Sequence, residues 1–383
     1  YKRHLLSQVT VSRENERGLC FVPQGRPYLD FMSELKTLSA RFEKPLSELS
    51  TCKRFWTMAL RVSAVSNHPG VISADEEDEL TIFPPRFQRW LRGQRIEPTV
   101  VFKELTNLSI SQANALVDDS ETFLDQKLRS IHSSTYFFID KVDQAVRRLS
   151  RQAWISIQAG LIEAAWELMS ANSHVKVFAS IRQEAFVNYQ SDIKANLFGA
   201  TTLLGYTDEE LENLMDRLCG CYESSLGFKD FLGIRVIKHP RRPVPEDSFD
   251  FIRRHAFGRP RDLVVIASEL SSQKNSLSET RYCEIVRRAS ATHLVPGIFE
   301  EMNVFLDCLG DQETRMRFLE TLEMHILSRQ DAVTACARFN GISEDAVDEL
   351  GHTAAEIFHP FQDLYLAGLL GVIESQTDSD ERV

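Results

Sequence analysis

The chain has 383 residues, more than one ordinary hydrophobic core accommodates, so two or three domains are expected. Its 43% hydrophobic and 26% charged residues, with no apolar run near the roughly 20 residues of a membrane span, exclude a membrane-embedded chain. A net charge of -11 excludes a wholesale cationic coat for nucleic acid and leaves only local basic patches, Arg241 with Arg242 and the Arg253, Arg254, Arg259, Arg261 cluster.

Tyr1 to Gln8 reads as the end of a helix, and Gly18-Leu-Cys-Phe-Val-Pro23 as a short apolar strand closed by proline. From Asp30 to about Val65 the apolar residues Phe31, Leu35, Leu38, Phe55, Leu60 and Val62 follow a helical spacing. The acidic stretch Ser73 to Leu80 and the Phe83-Pro-Pro-Arg86 step predict a loop or insertion.

Tyr136-Phe-Phe-Ile139 is a continuous apolar run of strand length ending in Asp140, the pattern of a strand buried on both faces. Trp154, Ile157, Leu161, Ala165 and Leu168 then recur at steps of three and four, one face of a helix. Val175-Lys-Val-Phe-Ala-Ser-Ile181 is the next strand, so strand, helix and strand form a parallel crossover, and a doubly wound α/β sheet is expected.

Beyond Gln183 the pattern turns helical. Thr207-Asp-Glu-Glu210 is a capping box before the stripe Leu211, Leu214, Leu218. The Pro- and Arg-rich loop His239 to Pro245 precedes a helix starting near Asp247, and Gly258-Arg-Pro260 opens another over Asp262 to Leu270. Ser328 to Phe339 and Ser343 to Leu350 predict helices around an Asn340-Gly341 turn, and His359-Pro-Phe361 opens a third, followed by Gly371-Val-Ile373 as a possible wing strand. The acidic tail from Gln376 reads as frayed.

Seven scattered cysteines and ten histidines show no zinc-ligand spacing; the one close pair, Cys219 and Cys221, is separated by a single residue. Reduced thiols and a cytoplasmic location are expected.

A carboxylate at the carboxyl end of a buried parallel strand stands where open α/β sheets bind ligands. Asp140 has that position, and Asp143 follows in the next turn; the plainer alternative is a strand end and a helix cap. YFFIDKVDQ (Tyr136 to Gln144) resembles the Walker B strand of the STAND and KAP-like P-loop ATPases, relatives of the AAA+ enzymes. VKVFASIRQEAF (Val175 to Phe186) resembles their sensor 1 strand, and FGRPRDLV (Phe257 to Val264) their sensor 2 element.

The resemblance implies ATP and Mg2+ as ligands. Asp140 would hold the metal, and Asp143 would orient the attacking water or contact the metal shell. Ser180 and Arg182 would take the sensor 1 role, Pro260 would lie against base or ribose, and Arg261, or its neighbour Arg259, would reach the phosphates. A guanidinium suits phosphate because it is always charged and forks in a plane. The alternative for Arg182 is an anchor to a neighbouring acid, and for Arg261 a surface arginine at a helix start.

Two departures stand out. Lys141 follows the aspartate where many AAA+ relatives carry an acid, so either Asp143 supplies the acidic function or hydrolysis is slow. No G-x-x-x-x-G-K-[ST] loop occurs, and that loop is expected just upstream of Tyr1, with a loop-less pseudo-ATPase as the alternative.

The expected organisation is a P-loop ATPase α/β core over 1–205 lacking its Walker A loop, a helical lid over 206–285, and a helical, winged-helix-like domain over 286–383. That last domain places Glu344, Asp345, Asp348 and Glu349 where a DNA-reading helix wants basic side chains, so protein packing is favoured over nucleic acid. The implied function is an ATP-dependent conformational switch controlling self-association or an effector or sensor partner, as in prokaryotic anti-phage defence. The alternatives are an ATP-dependent DNA-binding regulator and an inactive scaffold subunit.

Overall fold

A computed structural model of the chain describes residues 20–23, 42–146, 149–221, 227–238, 245–256, 258–273, 277–297, 311–322, 327–341 and 361. The chain divides into two compact units, Tyr1–Thr201 with Val304–Val383, and Thr202–Asn303. The described residues are mostly helical.

The first unit holds a small parallel sheet in the order β1 (Cys20–Pro23), β2 (Thr135–Ile139), β3 (Val175–Ala179). Thr135, Phe137 and Ile139 register with Val175, Val177 and Ala179, and because paired residues of parallel strands share a face, these line one side of the sheet. That side is buried at Thr135, Phe137, Ile139, Val175 and Val177. Burial on both faces, expected from the unbroken apolar run, is not what forms. Tyr136 and Phe138 are only half-buried, and Phe178 is 48% exposed. On that face the aromatic rings cover one another in part: Phe138 and Phe178 stack with centroids 5.3 Å apart, and Tyr136 lies nearly parallel to Phe178 at 6.5 Å.

Between β1 and β2 the chain builds helices α1 (Leu49–Ser66), α2 (Pro85–Leu91), α3 (Pro98–Asn107) and α4 (Ile110–Arg129). Helix α5 (Val142–Ala145) is a single turn after β2, and the long α6 (Arg151–Ala171) leads to β3. Beyond β3 come the short α7 (Gln183–Asn188) and α8 (Lys194–Leu197).

Helix α1 is the centre of this unit, packed against α3, α4 and α6, and its buried set includes Phe55, Trp56, Leu60 and Val65. Gly160 lets α1 and α6 approach closely: a β-carbon there would lie 2.7 Å from the Lys53 backbone nitrogen and 2.8 Å from the Cys52 carbonyl carbon. Trp56 stacks on Phe102 at 4.3 Å and donates its indole N–H to the Ile157 carbonyl at 2.9 Å, so an interior indole keeps its hydrogen bond.

Buried Asn172 fastens the opposite end of the sheet. Its amide donates to the carbonyls of Leu128 (2.7 Å) and Ile131 (2.9 Å), and its Oδ1 accepts the His174 N–H (2.8 Å). The α4, α6 and β3 termini are thereby tied at one point.

The acidic stretch read as a loop is instead a 3-10 helix, Ala74–Ile82, and the Pro-Pro step starts α2. Ser73 and Glu76 form a reciprocal capping box, Asp75, Glu76 and Glu77 favour the positive helix start, and Pro85 sits at a first-turn position that needs no N–H.

The second unit is helical around one core. It comprises α9 (Asp208–Gly220), α10 (Phe228–Leu232), the hairpin strands β4 (Val236–Ile237) and β5 (Glu246–Asp247), α11 (Ser248–His255), α12 (Pro260–Ser271) and α13 (Glu279–Ala289). The capping box at Thr207 forms as predicted, with Glu210 Oε2 accepting the Thr207 N–H at 2.8 Å and Thr207 Oγ1 accepting the Glu210 N–H at 3.2 Å. Leu211, Phe228, Phe251, Ile252, Leu263 and Tyr282 fill the core, and Tyr282 donates its buried hydroxyl to the Ser248 carbonyl at 2.7 Å.

Two further helices, α14 (Gln312–Glu320) and α15 (Arg329–Phe339), belong to the first unit's C-terminal portion. Ser328 and Asp331 cap α15, and Phe318 is buried against the rings of Phe339 and Phe361 at 5.0 and 5.7 Å. The predicted helices at 343–350 and from His359 (Phe361 excepted), the wing strand at 371–373, the Tyr1 to Gln8 helix, and Arg241 with Arg242 lie outside the described residues. Among the described residues, no helix is long and apolar enough to cross a membrane.

Candidate functional site

Parallel strands β2 and β3 end side by side, and the Ser180 N–H donating to the Ile139 carbonyl at 2.9 Å carries the ladder one step past them. The two turns that leave this edge bring Asp140, Asp143, Ser180 and Arg182 together. Lys141 adopts the left-handed conformation at φ +63°, the one non-glycine among the described residues with positive φ. A long side chain rarely adopts it, and such positions persist where surrounding contacts hold them.

That conformation aims the Lys141 N–H at Asp140 Oδ1, at 2.9 Å. The same oxygen accepts the Ser180 hydroxyl, so a bond from β2's end to β3's end passes through the Asp140 carboxylate. Asp143 and Arg182 form a second link, Arg182 Nε to Asp143 Oδ2 at 3.7 Å, with both side chains about a quarter exposed at 23% and 30%. Ser180 and Asp140 are exposed. The four side chains therefore form one open polar surface at the carboxyl edge of the sheet, two acids with a hydroxyl and a guanidinium.

Helix α6 holds both turns from beneath. Trp154 donates its indole N–H to the Asp143 carbonyl at 3.3 Å. Gln158, fully buried, accepts the Arg182 N–H on Oε1 at 3.1 Å and donates from Nε2 to the Trp154 carbonyl at 3.0 Å. The two partners fix which end of the amide faces which way, since a backbone N–H must donate and a carbonyl must accept. Gln158 is not among the sequence-predicted site residues. Its signal was a polar side chain four residues after Trp154, on the apolar face of a helix.

Pro260 and Arg261 stand in the second unit, on the first turn of α12. Pro260 takes the first helical position, Arg261 is exposed, and Gly258 before them turns with φ +63°. Half of the basic cluster noted around them is paired with acids. Arg253 bonds Asp208 and lies 3.3 Å from Asp250, and Arg254 grips Glu246 through two nitrogens at 2.7 and 3.1 Å. That pairing removes two of its four arginines from a free cationic surface.

A cleft of about 380 Å³ in the second unit is lined by Glu212, Asp216, Lys229, Asp230, Arg235 and Asp247. Its two cations are both paired, with acids left in excess: Lys229 Nζ lies 2.5 Å from Glu212 and 2.9 Å from Asp247, and Arg235 lies 2.5 Å from Asp230. Nearby, burial pushes His255 down to about 4, aided by Arg254 and Arg287, so this imidazole is neutral at pH 7.

The cysteines described, Cys52, Cys219, Cys221, Cys283 and Cys336, are all free thiols, and burial pushes Cys52 far above the ordinary range and Cys336 up to about 11. Neither is a thiolate at neutral pH. No group of three or more His, Cys, Asp or Glu side chains able to hold a metal occurs among the described residues. Oxygen donors such as Asp140, Asp143 and Ser180 nevertheless suit magnesium, which takes one or two carboxylates and fills its remaining positions with water and phosphate oxygens. The chain matches no protein-family model, no curated protein and no solved structure.

Proposed function

We propose that the polar surface at the ends of β2 and β3 is the magnesium-nucleotide site of an ATPase of the P-loop type, and that the protein is an ATP-dependent conformational switch. The observation that carries this reading is the convergence of Asp140, Asp143, Ser180 and Arg182 on one sheet edge, around a left-handed turn at Lys141. Residues from two turns some 40 positions apart meet where parallel sheets bind ligands.

In this reading Asp140 would hold magnesium, whose charge would neutralise the bridging phosphates. Ser180 orients the Asp140 carboxylate through its hydroxyl bond. Arg182 presents a permanent positive charge beside Asp143, suited to reading a terminal phosphate. Asp143 is the acid left to orient water, since Lys141 occupies the position after Asp140 and carries no basic oxygen. The nucleotide roles of Pro260 and Arg261, and a lid role for the helices around them, rest on the motif resemblance alone.

The reading requires a phosphate-cradling loop, and the 383 residues contain no G-x-x-x-x-G-K-[ST] sequence. The doubly wound core, the winged-helix-like C-terminal domain, the control of self-association or an effector, and a role in defence rest on the motif resemblance alone. The DNA-binding alternative draws on the winged helix and on Arg241 and Arg242, which lie outside the described residues.

The test is ATP turnover by the full-length gene product with magnesium. Asp140→Ala should abolish it while leaving the protein folded; unchanged turnover in that variant removes the reading.

A further inference from the structure

Gln158 is the fully buried amide side chain of α6, a helix whose buried residues include two other polar ones, Ser156 and Glu163. Burying an amide without partners costs about 1–3 kcal/mol, so a glutamine at such a position is tolerated only where both ends are bonded. Both ends are bonded, one within α6 and one outside it. Oε1 reaches across to the Arg182 N–H, and Nε2 returns to the carbonyl of Trp154, whose own indole holds the Asp143 carbonyl. Trp154 and Gln158, one turn apart on α6 and bonded to each other, thus hold the turn carrying Asp140 and Asp143 and the turn carrying Ser180 and Arg182 respectively.

The two turns also touch through side chains, at Asp140 with Ser180 and Asp143 with Arg182, but those bonds lie at the open surface. Water and ligand compete for them, whereas the α6 bonds are shielded. We infer that Gln158, acting with Trp154, is a positioning residue that sets the spacing of the two polar turns before any ligand binds. It touches neither ligand nor reacting atoms; it acts through the Arg182 backbone. This inference rests on the nucleotide reading for its effect on turnover, but its structural half does not.

The experiment compares full-length wild type, Gln158→Met, Gln158→Glu and Asp140→Ala. Methionine keeps length and volume but offers the Arg182 N–H no comparable acceptor. A protonated glutamate presents the same acceptor and donor as the amide, while its ionised form repels the Trp154 carbonyl. Three quantities are read: kcat and KM for ATP with magnesium, the melting temperature, and amide hydrogen exchange of the peptide spanning 180–186.

Gln158→Met is expected to lower kcat by about tenfold or more with KM changed less than about threefold, since small misplacement of reacting groups costs rate more than affinity. Exchange across 180–186 should quicken in that variant. Gln158→Glu should regain turnover and protection as pH is lowered and its buried carboxyl takes up a proton. A folded Gln158→Met protein with wild-type kcat and wild-type exchange overturns the inference, even while Asp140→Ala is inactive and the nucleotide reading stands. Should Asp140→Ala leave turnover unchanged, the nucleotide reading fails by itself, and exchange at 180–186 still decides whether Gln158 fastens the turn. Should Gln158→Met fail to fold, the pH dependence of exchange in Gln158→Glu decides: protection lost on ionisation supports the inference, and protection equal to wild type at every pH overturns it.

Discussion

Two parts of the molecule gather charged side chains, the sheet edge of the first unit and the cleft around Lys229 in the second, and they do so by different means. In the cleft the charges hold each other. Lys229 sits between Glu212 and Asp247 and Arg235 meets Asp230, ion pairs whose side chains are 28–74% exposed, while backbone N–H groups, those of Phe228 and Phe249, reach only Asp216 and Asp247. At the sheet edge the turns are held through backbone groups, by Lys141 N–H to Asp140, Trp154 to the Asp143 carbonyl, and Gln158 to the Arg182 N–H. The first arrangement ties up both of its cations and leaves acids in excess. The second presents carboxylate and guanidinium in fixed places, which is what recognition of a charged ligand needs. Density of charge is thus a poor guide to a site; attachment to a rigid frame is a better one.

The comparison breaks most sharply at Gly160, on which the frame depends. A β-carbon at that position meets the α1 backbone at 2.7–2.8 Å, and backbone cannot swing aside as a side-chain tip can. Gly160→Ala is expected to destabilise the first unit by ~1–3 kcal/mol, and Gly160→Leu by more, in urea denaturation. Exchange protection in the second unit should be largely retained. Loss of protection in both units together would mean that they fold as one.

In the second unit the corresponding buried bond is Tyr282 to the Ser248 carbonyl. Tyr282→Phe removes that buried bond and should cost ~1 kcal/mol, read as a lower denaturation midpoint for this unit. Turnover, if it resides at the sheet edge, should change little.

Acid should separate the regions further. His255 has its folded-state value lowered to about 4 by burial, so the unfolded chain takes up a proton first as pH falls through about 6.5. Its contribution is therefore fully present above pH 6.5, declines between 6.5 and 4, and levels off below 4. His255→Gln should flatten that part of the stability profile, which a pH series of denaturation midpoints measures. In the first unit Glu76, held down to about 2 chiefly by its bond to Lys127 with help from Ser73, acts lower on the scale. Its contribution is present above the ordinary glutamate range near pH 4.3 and is lost as pH falls toward 2.

The smallest effect is expected where charge is densest. Lys229→Ala removes an exposed bridge and should change stability by no more than ~1 kcal/mol, less in high salt. A loss of several kcal/mol, unaffected by salt, would show that the cleft is anchored more firmly than its exposure indicates.

Much of the frame was legible in the residues. The aromatic run of β2, the alternating β3 and the three-and-four spacing of α6 each identify their element, because a short apolar run and a helical stripe are local signals. The capping boxes at Thr207 and Ser328 mark helix starts for the same reason. Helix α4 was no less readable, with Ala113, Leu116, Val117, Ser120, Phe123 and Leu124 at helical steps, yet it is absent from the predicted elements. The 3-10 helix at Ala74–Ile82 escaped because its composition is that of a solvated loop and only the Ser73–Glu76 cap betrays it.

Of the candidate site, Asp140 was legible from its place at a strand end, and Ser180 and Arg182 only from the resemblance of the next strand to a sensor 1 element. What sequence could not supply was their common fastening. Gln158 meets Arg182 across 24 residues, and that contact exists only once α6 lies beneath the turn after β3. The left-handed Lys141 was equally hidden, since nothing in a lysine's chemistry favours positive φ.

The most direct measurement is the position of the metal. Crystals of the full-length protein grown with a non-hydrolysable ATP analogue and manganese should show an anomalous peak about 2.0–2.3 Å from a carboxylate oxygen of Asp140, with phosphate oxygens completing its shell. A nucleotide and metal bound elsewhere on the protein, with Asp140 still turned only toward Lys141 and Ser180, would contradict the account.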